Sequence, residues 1–585
     1  MSLGANSGTY LDQFPDEAKL IRATFYSSFA ALFVGALMGL LQVLHRVDML
    51  RLIPSEDYYS YLTLHAVLLV LTFTIFFLVG VFTWGVTTSL DRGLEDLRYT
   101  WTWYGLMAGG SLLAGITIIG GFFDAIPLSA AVLYTFYAPL QAHPLFYIGL
   151  ALFIVGSWFA GIDWFRSWWA WKRENPDERI PLPTFMALTT TLFWIISSLG
   201  VAISVVVFLI PWSLGFIDQV NALLTRTLFW FFGHAVVYFW LMPAYMLWYV
   251  MLPKISGGKL FSDPLARVVF VLFLILSTPT GIHHQYLDPG IAEGFKFIVM
   301  VNTMFLLLPS LLTAFTVVAS MEHGARQRGG TGYFGWLRAL PWRDPVFTGM
   351  ALAGLMFAAA GFSGMVNAGL NLNYLVHNTL WVPGHFHLTV GTAVALSFMA
   401  STYWFLPKIT GREIFSRRLG LAQVLTWFFG MVLMSNAMHR AGVGGVPRRT
   451  ADPTYEGVEF TSVLGNINEL RLQIALGGVI LSLSLVLFFT HLLLSWFDIG
   501  TSTQATADRI PPALSGPENA PKVLENLQLW SGIAIVLVLL TYVLPIAAIV
   551  SGNGWFGSVE HPAGMVEPIW LLALDIGRQH LTVIV

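Results

Sequence analysis

Residues 58–86 read YYSYLTLHAVLLVLTFTIFFLVGVFTWGV. The run contains no Asp, Glu, Lys or Arg, and about 20 apolar residues suffice to cross a bilayer as a helix. This stretch alone therefore predicts a transmembrane span. The pattern recurs along the chain. Apolar runs between charged or Gly/Pro-rich breaks have rough cores at 22–45, 58–86, 100–123, 142–165, 184–212, 224–251, 264–284, 295–320, 345–369, 382–406, 419–440, 471–497 and 527–550. About thirteen spans predict an all-α fold, a polytopic membrane helix bundle. The whole of 1–585 reads as a single integral membrane domain. The loop at 499–525, rich in Thr, Ser, Ala and Pro, is the most linker-like stretch, and 551–585 reads as an outer C-terminal tail. No cleavable signal peptide is expected, because the first apolar run is long enough to span.

Composition carries the same message. Charged residues make up 11% of the 585, against roughly 25% in soluble proteins. A disordered chain, a disulfide scaffold and a water-soluble globule are excluded. A net charge of −2 gives no pull toward nucleic acid, so no nucleic-acid partner is expected. Cysteine is absent. No thiolate metal site, iron–sulfur cluster or cysteine nucleophile can come from this chain, and redox chemistry must use other ligands.

The connections between spans alternate in charge. One set carries 21 of the 30 Lys and Arg residues, including Arg166–Arg179, Lys254–Arg267, Arg326–Arg343 and Lys408–Arg418; the other carries 9. The positive-inside bias places the N-terminus in the cytoplasm, and an odd number of spans then places the C-terminus outside.

That orientation fixes depth. Of the 14 histidines, His45, His143, His323, His439, His561 and His580 fall near span ends or in loops, and His491 lies inside the twelfth span with no role expected. Six others lie within or at the edge of spans, where ionisable residues are costly and mostly functional. They are His65 in TLHAV, His234 in FGHAVVYFW, His283 and His284 in TGIHHQY, and His385 and His387 in WVPGHFHL. The spans holding His65, His234 and His385–His387 run inward and carry them early. The span ending in His283–His284 runs outward. All six therefore converge in the outer half of the membrane. His385 and His387 are about 200° apart on a helix, so each serves a different partner. His234 and Tyr238 share a face. Three neutral imidazoles suit copper, iron or zinc. Three histidines for one metal leave three axial ligands for two hemes, one six-coordinate and one with an open position.

The stretches GHAVVYFWLMPAYMLWYVMLPK, STPTGIHHQY and HNTLWVPGHFHL carry a resemblance to subunit I of the heme–copper oxidase superfamily, running over nearly the whole chain. LYTFYAPL, ISGGKLFSDPLAR and LRALPWRDP resemble its B-type branch. The resemblance implies a proton-translocating terminal respiratory oxidase, of the cytochrome c oxidase type, that reduces oxygen to water in a prokaryotic plasma membrane. It implies His65 and His387 on a low-spin heme and His385 on a high-spin heme. It implies His234, His283 and His284 on copper, with Tyr238 as the active-site tyrosine joined to the His234 ring. The implied partner is a subunit II with a dinuclear copper centre, fed by cytochrome c or a small copper protein.

The acidic proton path of many relatives is missing. Positions 235–237 are Ala-Val-Val and the second connection reads DRGLEDLR. Ala235 stands where relatives commonly have Pro, which implies less bend in that helix. Tyr238, Tyr245 and Tyr249 recur instead on one face, spanning about 16 Å of rise. Ser310, Thr313 and Thr316 follow at three-residue steps, and Ser262 starts the seventh span. Helical hydroxyls ordinarily bond backbone carbonyls, but these positions match the single B-type proton path. Arg448 and Arg449 in VPRRT suit heme propionates, with His377 and Asn373 on the same side. Relatives usually have an acid at the Asn373 position, and an amide cannot take up a proton there. Two rival readings remain. A nitric oxide reductase of the same superfamily typically lacks the tyrosine, so Tyr238 favours the oxidase. A heme-free transporter does not account for six converging histidines.

Overall fold

A computed structural model of the chain describes residues 9–48, 50–123, 130–455, 460, 464–497 and 510–556. Long helices follow one another with short connections. They are α1 (Pro15–Arg46), α2 (Tyr58–Leu90), α3 (Leu97–Gly121), α4 (Pro144–Glu174), α5 (Leu182–Ser213) and α6 (Ala222–Ser256). After α7 (Asp263–Ser277) come α8 (Glu293–Gln327), α9 (Pro345–Ala368), α10 (Trp381–Thr410), α11 (Arg417–Val443), α12 (Ile467–Trp496) and α13 (Leu527–Asn553). Among the described residues, twelve of these are long and apolar enough to cross a membrane.

The exception is α7. Its 15 residues rise about 22 Å, short of the roughly 30 Å of a bilayer core. It nevertheless joins opposite ends of the bundle. Just before it, Lys259 N donates to His323 Nδ1 near the C-terminal end of α8 (3.2 Å). Just after it, His283 contacts Thr303 in the N-terminal half of α8. A 3-10 turn, Gly281–Gln285, covers part of the remaining depth. Thirteen crossings therefore stand, one of them part helix and part turn.

Local chemistry sets the helix ends. Asp96, Asn221, Ser262, Asp344, Ser416 and Asn466 each accept from a backbone N–H of the first turn, which satisfies donors that no helical carbonyl can reach. Pro15, Pro144 and Pro345 occupy first positions, where the missing N–H costs nothing. The interiors are less regular. α2 is π-helical over Leu68–Phe73, just past His65, and α10 over His387–Val394. Such insertions cluster at functional sites. α6 is continuous despite Pro243 and Pro253 within it; Ala235 lies about two turns before the first of these.

Two expectations are corrected. Residues 510–525, expected to be linker, are tied down. Ala513–Ser515 pairs in parallel with Leu260–Ser262. The fully buried Arg267 bridges Asp263 (2.5 Å) and Glu525 (3.0 Å) and donates to Ile180 O. A charge taken out of water needs such partners, and this pairing straps the loop under the bundle. Residues 498–509 of that loop lie outside the described residues, as does the expected tail from 557 onward, together with His561 and His580. The second correction is at 551–553, which continue α13.

Candidate metal centre

Six histidines reach the site from α2, α6, α10 and the turn after α7. The His234 ring centroid is 4.0 Å from that of His283 and 5.2 Å from that of His284. One ligand atom from each lies within 4.8 Å of the others. His234 turns its two nitrogens to different neighbours. Nδ1 is 3.1 Å from His284 Nε2 and Nε2 is 2.9 Å from Tyr238 Oη. One turn of helix thus places the phenol on one edge of a ring whose other edge faces the cluster. The indole of Trp230 stacks on His284 at 3.8 Å and keeps that ring in place.

His65 and His387 face one another, with ring centroids 6.5 Å apart and planes 17° from parallel. Two metal–imidazole bonds of about 2 Å plus two half-rings span roughly 6 Å, so this separation suits a single ion between them. α2, α6 and α10 are the most enclosed spans, yet His65, Leu68, Leu69, Phe386 and His387 are only half-buried. The bundle leaves room beside both imidazoles. His385, two residues from His387, faces α9 instead, as the helical spacing requires.

The ring tautomers follow from the acceptors. His65 Nδ1 is 2.7 Å from Gly35 O, and His387 Nδ1 is 2.7 Å from Pro383 O. His385 Nδ1 is 3.1 Å from Ala360 O. A carbonyl only accepts, so each Nδ1 carries the hydrogen and each Nε2 keeps the lone pair a metal needs. His283 Nδ1 is 3.1 Å from Thr303 Oγ1. That hydroxyl gives its hydrogen to Val299 O (2.6 Å) and so accepts from His283. Thr303 was not among the residues singled out by sequence, and neither was Gly39 of α1. A Cβ at Gly39 would meet His65 Cε1 at 2.6 Å, so only glycine lets α1 lie against that ring.

On the outer side, Arg448 donates to Asn378 Oδ1 (3.0 Å) and Tyr134 Oη (3.4 Å). The Arg449 guanidinium lies over the Tyr134 ring at 4.9 Å. Its Nε and Nη2 are buried with no hydrogen-bond partner. Among the described residues no carboxylate pairs with either arginine. Burial and the neighbouring Arg449 push Arg448 down to about 10. Burial and the cations of Arg448, Arg226 and Arg449 push His377 down to about 4. His377 Nδ1 is 3.1 Å from Asn373 Oδ1, and Asn373 Nδ2 donates to Asn367 O. The cluster calls for negative charge, of the kind that carboxylates supply. Three converging imidazoles, a facing imidazole pair and orphaned guanidinium donors together fit two hemes and one copper ion.

The hydroxyl line is joined in its middle. Tyr249 Oη is 2.6 Å from Thr313 Oγ1, whose hydrogen goes to Pro309 O, so the tyrosine donates. Tyr245 donates to Ser310 Oγ at 3.2 Å. Between Tyr245 and Tyr238 no direct hydrogen bond occurs among the described residues; about 10 Å of rise separates them. Thr316 bonds back to Leu312 O, and the Ser262 hydroxyl caps α7. Of the remaining described histidines, His45 bonds Ala451 O, His439 bonds Ser435 O, and His143, His323 and His491 accept from Leu145 N, Lys259 N and Ser416 N.

The family model for cytochrome c and quinol oxidase polypeptide I matches residues 19–480. Cytochrome c oxidase subunit 1 of Thermus thermophilus is 41% identical over 541 residues, covering 89% of this chain and 93% of its own. Cytochrome c oxidase polypeptide 1 of Halobacterium salinarum is 29% identical over 229 residues, 38% of this chain and 35% of its own. A solved heme–copper terminal oxidase superposes with a TM-score of 0.85 at 35% identity, over 97% of this chain and 99% of that one.

Proposed function

The chain belongs to the cytochrome c and quinol oxidase polypeptide I family, and from that premise we propose how its own side chains serve the reaction. It is the catalytic subunit of a B-type, proton-translocating terminal oxidase that reduces oxygen to water, and it binds two hemes and one copper ion. Bound there, the hemes and copper supply the electron transfer and the oxygen chemistry. In our reading His65 and His387 hold the low-spin iron through their Nε2 atoms. His385 Nε2 holds the high-spin iron. His234 Nδ1 and the Nε2 atoms of His283 and His284 hold copper.

The observation that carries the reading is His234, with one nitrogen in the three-imidazole cluster and the other 2.9 Å from Tyr238 Oη. Tyr238 holds a transferable phenolic hydrogen at the edge of the metal site, and the nitric oxide reductases of the superfamily typically lack this tyrosine. Arg448 and Arg449, with His377 and Asn373, hold the propionates. Tyr249, Thr313, Ser310 and Tyr245 pass protons from the inner side toward Tyr238 Oη, water spanning the gap below the phenol. Thr316 and Ser262 assist at the inner end. The chain has no cysteine, so a dinuclear thiolate-bridged copper centre for electron entry belongs to a subunit II, with cytochrome c or a small copper protein as donor. The expected location is a prokaryotic plasma membrane.

The test is heme and metal analysis of the purified complex beside its oxygen uptake. Two hemes and one copper per chain, with uptake inhibited by cyanide, are expected. A second iron in place of copper, with nitric oxide consumed and oxygen not, would overturn the reading.

A further inference from the structure

His385 differs from the other two histidines read as iron ligands. His65 and His387 each give Nδ1–H to one backbone carbonyl, Gly35 O and Pro383 O. His385 Nδ1 has a second partner, the Ser363 hydroxyl of α9, at 2.9 Å. Ser363 Oγ donates its own hydrogen to Ala360 O at 2.8 Å, so toward His385 it can only accept. The hydroxyl is the shorter of the two contacts, since Ala360 O lies at 3.1 Å.

The wall of α9 is shaped around this contact. Ser363 is 9% exposed. A Cβ on the neighbouring Gly364 would come within 2.9 Å of His385 Cε1. Trp381, one turn before His385, donates through Nε1 to Ser363 O at 3.2 Å, which ties the two helices together at this level. Partners of the non-ligating imidazole nitrogen fix ring orientation and raise ligand basicity in metal sites. Hydrogen bonding around the axial ligand is one of the means by which a protein sets a heme potential.

We propose that Ser363 is a positioning residue for the high-spin iron, its hydroxyl oxygen holding the His385 ring and making it a stronger donor. The proposal rests on the reading of His385 as the high-spin ligand. A more basic imidazole favours the ferric over the ferrous ion, so losing the hydroxyl shifts that heme toward reduction. The low-spin heme, whose ligands have no hydroxyl partner among the described residues, is an internal control within the same molecule.

The experiment uses the purified complex carrying Ser363→Ala or Ser363→Thr. At a fixed redox poise, Ser363→Ala should raise the reduced-to-oxidised ratio of the high-spin heme about tenfold, on the scale of the losses in metal affinity or activity that removing such partners causes elsewhere. The iron–histidine stretch of the reduced protein should fall in frequency, with the low-spin bands unmoved. Ser363→Thr, which keeps the hydroxyl, should hold both near the unsubstituted values. An unchanged ratio and stretch in Ser363→Ala would overturn the proposal, as would equal shifts in both hemes or a threonine variant matching alanine. The ligand assignment is tested separately by His385→Ala, which should abolish the iron–histidine stretch. If the stretch survives there, it is that assignment that fails.

Discussion

At the scale of single residues, the hydrogen committed elsewhere decides the chemistry. Thr303 gives its hydrogen to Val299 O and therefore holds His283 as an acceptor. Thr313 gives its own to Pro309 O and so receives from Tyr249. In both cases an ordinary helical hydroxyl, satisfied by the carbonyl four residues back, still has lone pairs for a second duty. The proposed proton line depends on that second duty. Replacing Thr313 with Val keeps the shape and removes the acceptor of Tyr249. Turnover should slow at least several-fold while both heme spectra stay as they were, read by oxygen uptake beside the visible spectrum. A Thr313→Val enzyme with full uptake would remove Thr313 from the path. Asn373 is a departure of another kind. It bonds His377 and Asn367 O, so the amide has a positioning task for the His377 imidazole.

At the scale of elements, the bundle brings histidines together by letting helices approach closely and by changing their winding. α10 is α-helical through Phe386 and π-helical from His387, and its two histidines face α9 and α2 on opposite sides. α1 reaches His65 because Gly35 offers its carbonyl and Gly39 has no side chain. Gly39→Val should therefore displace the His65 ring and weaken or shift the low-spin absorption, with the high-spin heme retained. A Gly39→Val protein with both bands intact would show that α1 is free to back away. α7 makes the same point about length. Fifteen helical residues do not cross a bilayer core, and the turn that completes the crossing is where His283 and His284 sit. Residues 264–284 read as one span because no Asp, Glu, Lys or Arg interrupts the stretch after Arg267, although α7 itself ends at Ser277.

At the scale of the whole molecule, thirteen alternating crossings put the loop around Tyr333 and the loop around Phe216 on opposite sides, both side chains strongly exposed at 93% and 78%. The chain has no cysteine, so single cysteines introduced there have no background. A membrane-impermeant thiol reagent on intact cells should label Phe216→Cys and spare Tyr333→Cys, with the pattern reversed in inverted vesicles. The opposite pattern would overturn a cytoplasmic N-terminus. Much of this architecture was legible in the chain by itself. Spans are visible because burial of about 20 apolar residues is a property of a continuous stretch. The six histidines stand out because an ionisable group in such a stretch is costly, and Tyr238 because one helical turn pairs it with His234. What only the tertiary structure decided lies between residues far apart in sequence. Gly35 meets His65 across 30 positions, Ser363 meets His385 across 22, and Tyr134 meets Arg448 across 314. The strap of 510–525, held by Glu525 on Arg267, is of the same kind. A hydrogen bond depends on where two atoms end up rather than on any local period, so ligand tautomers, ring orientation and the clamp under the bundle are settled by packing alone.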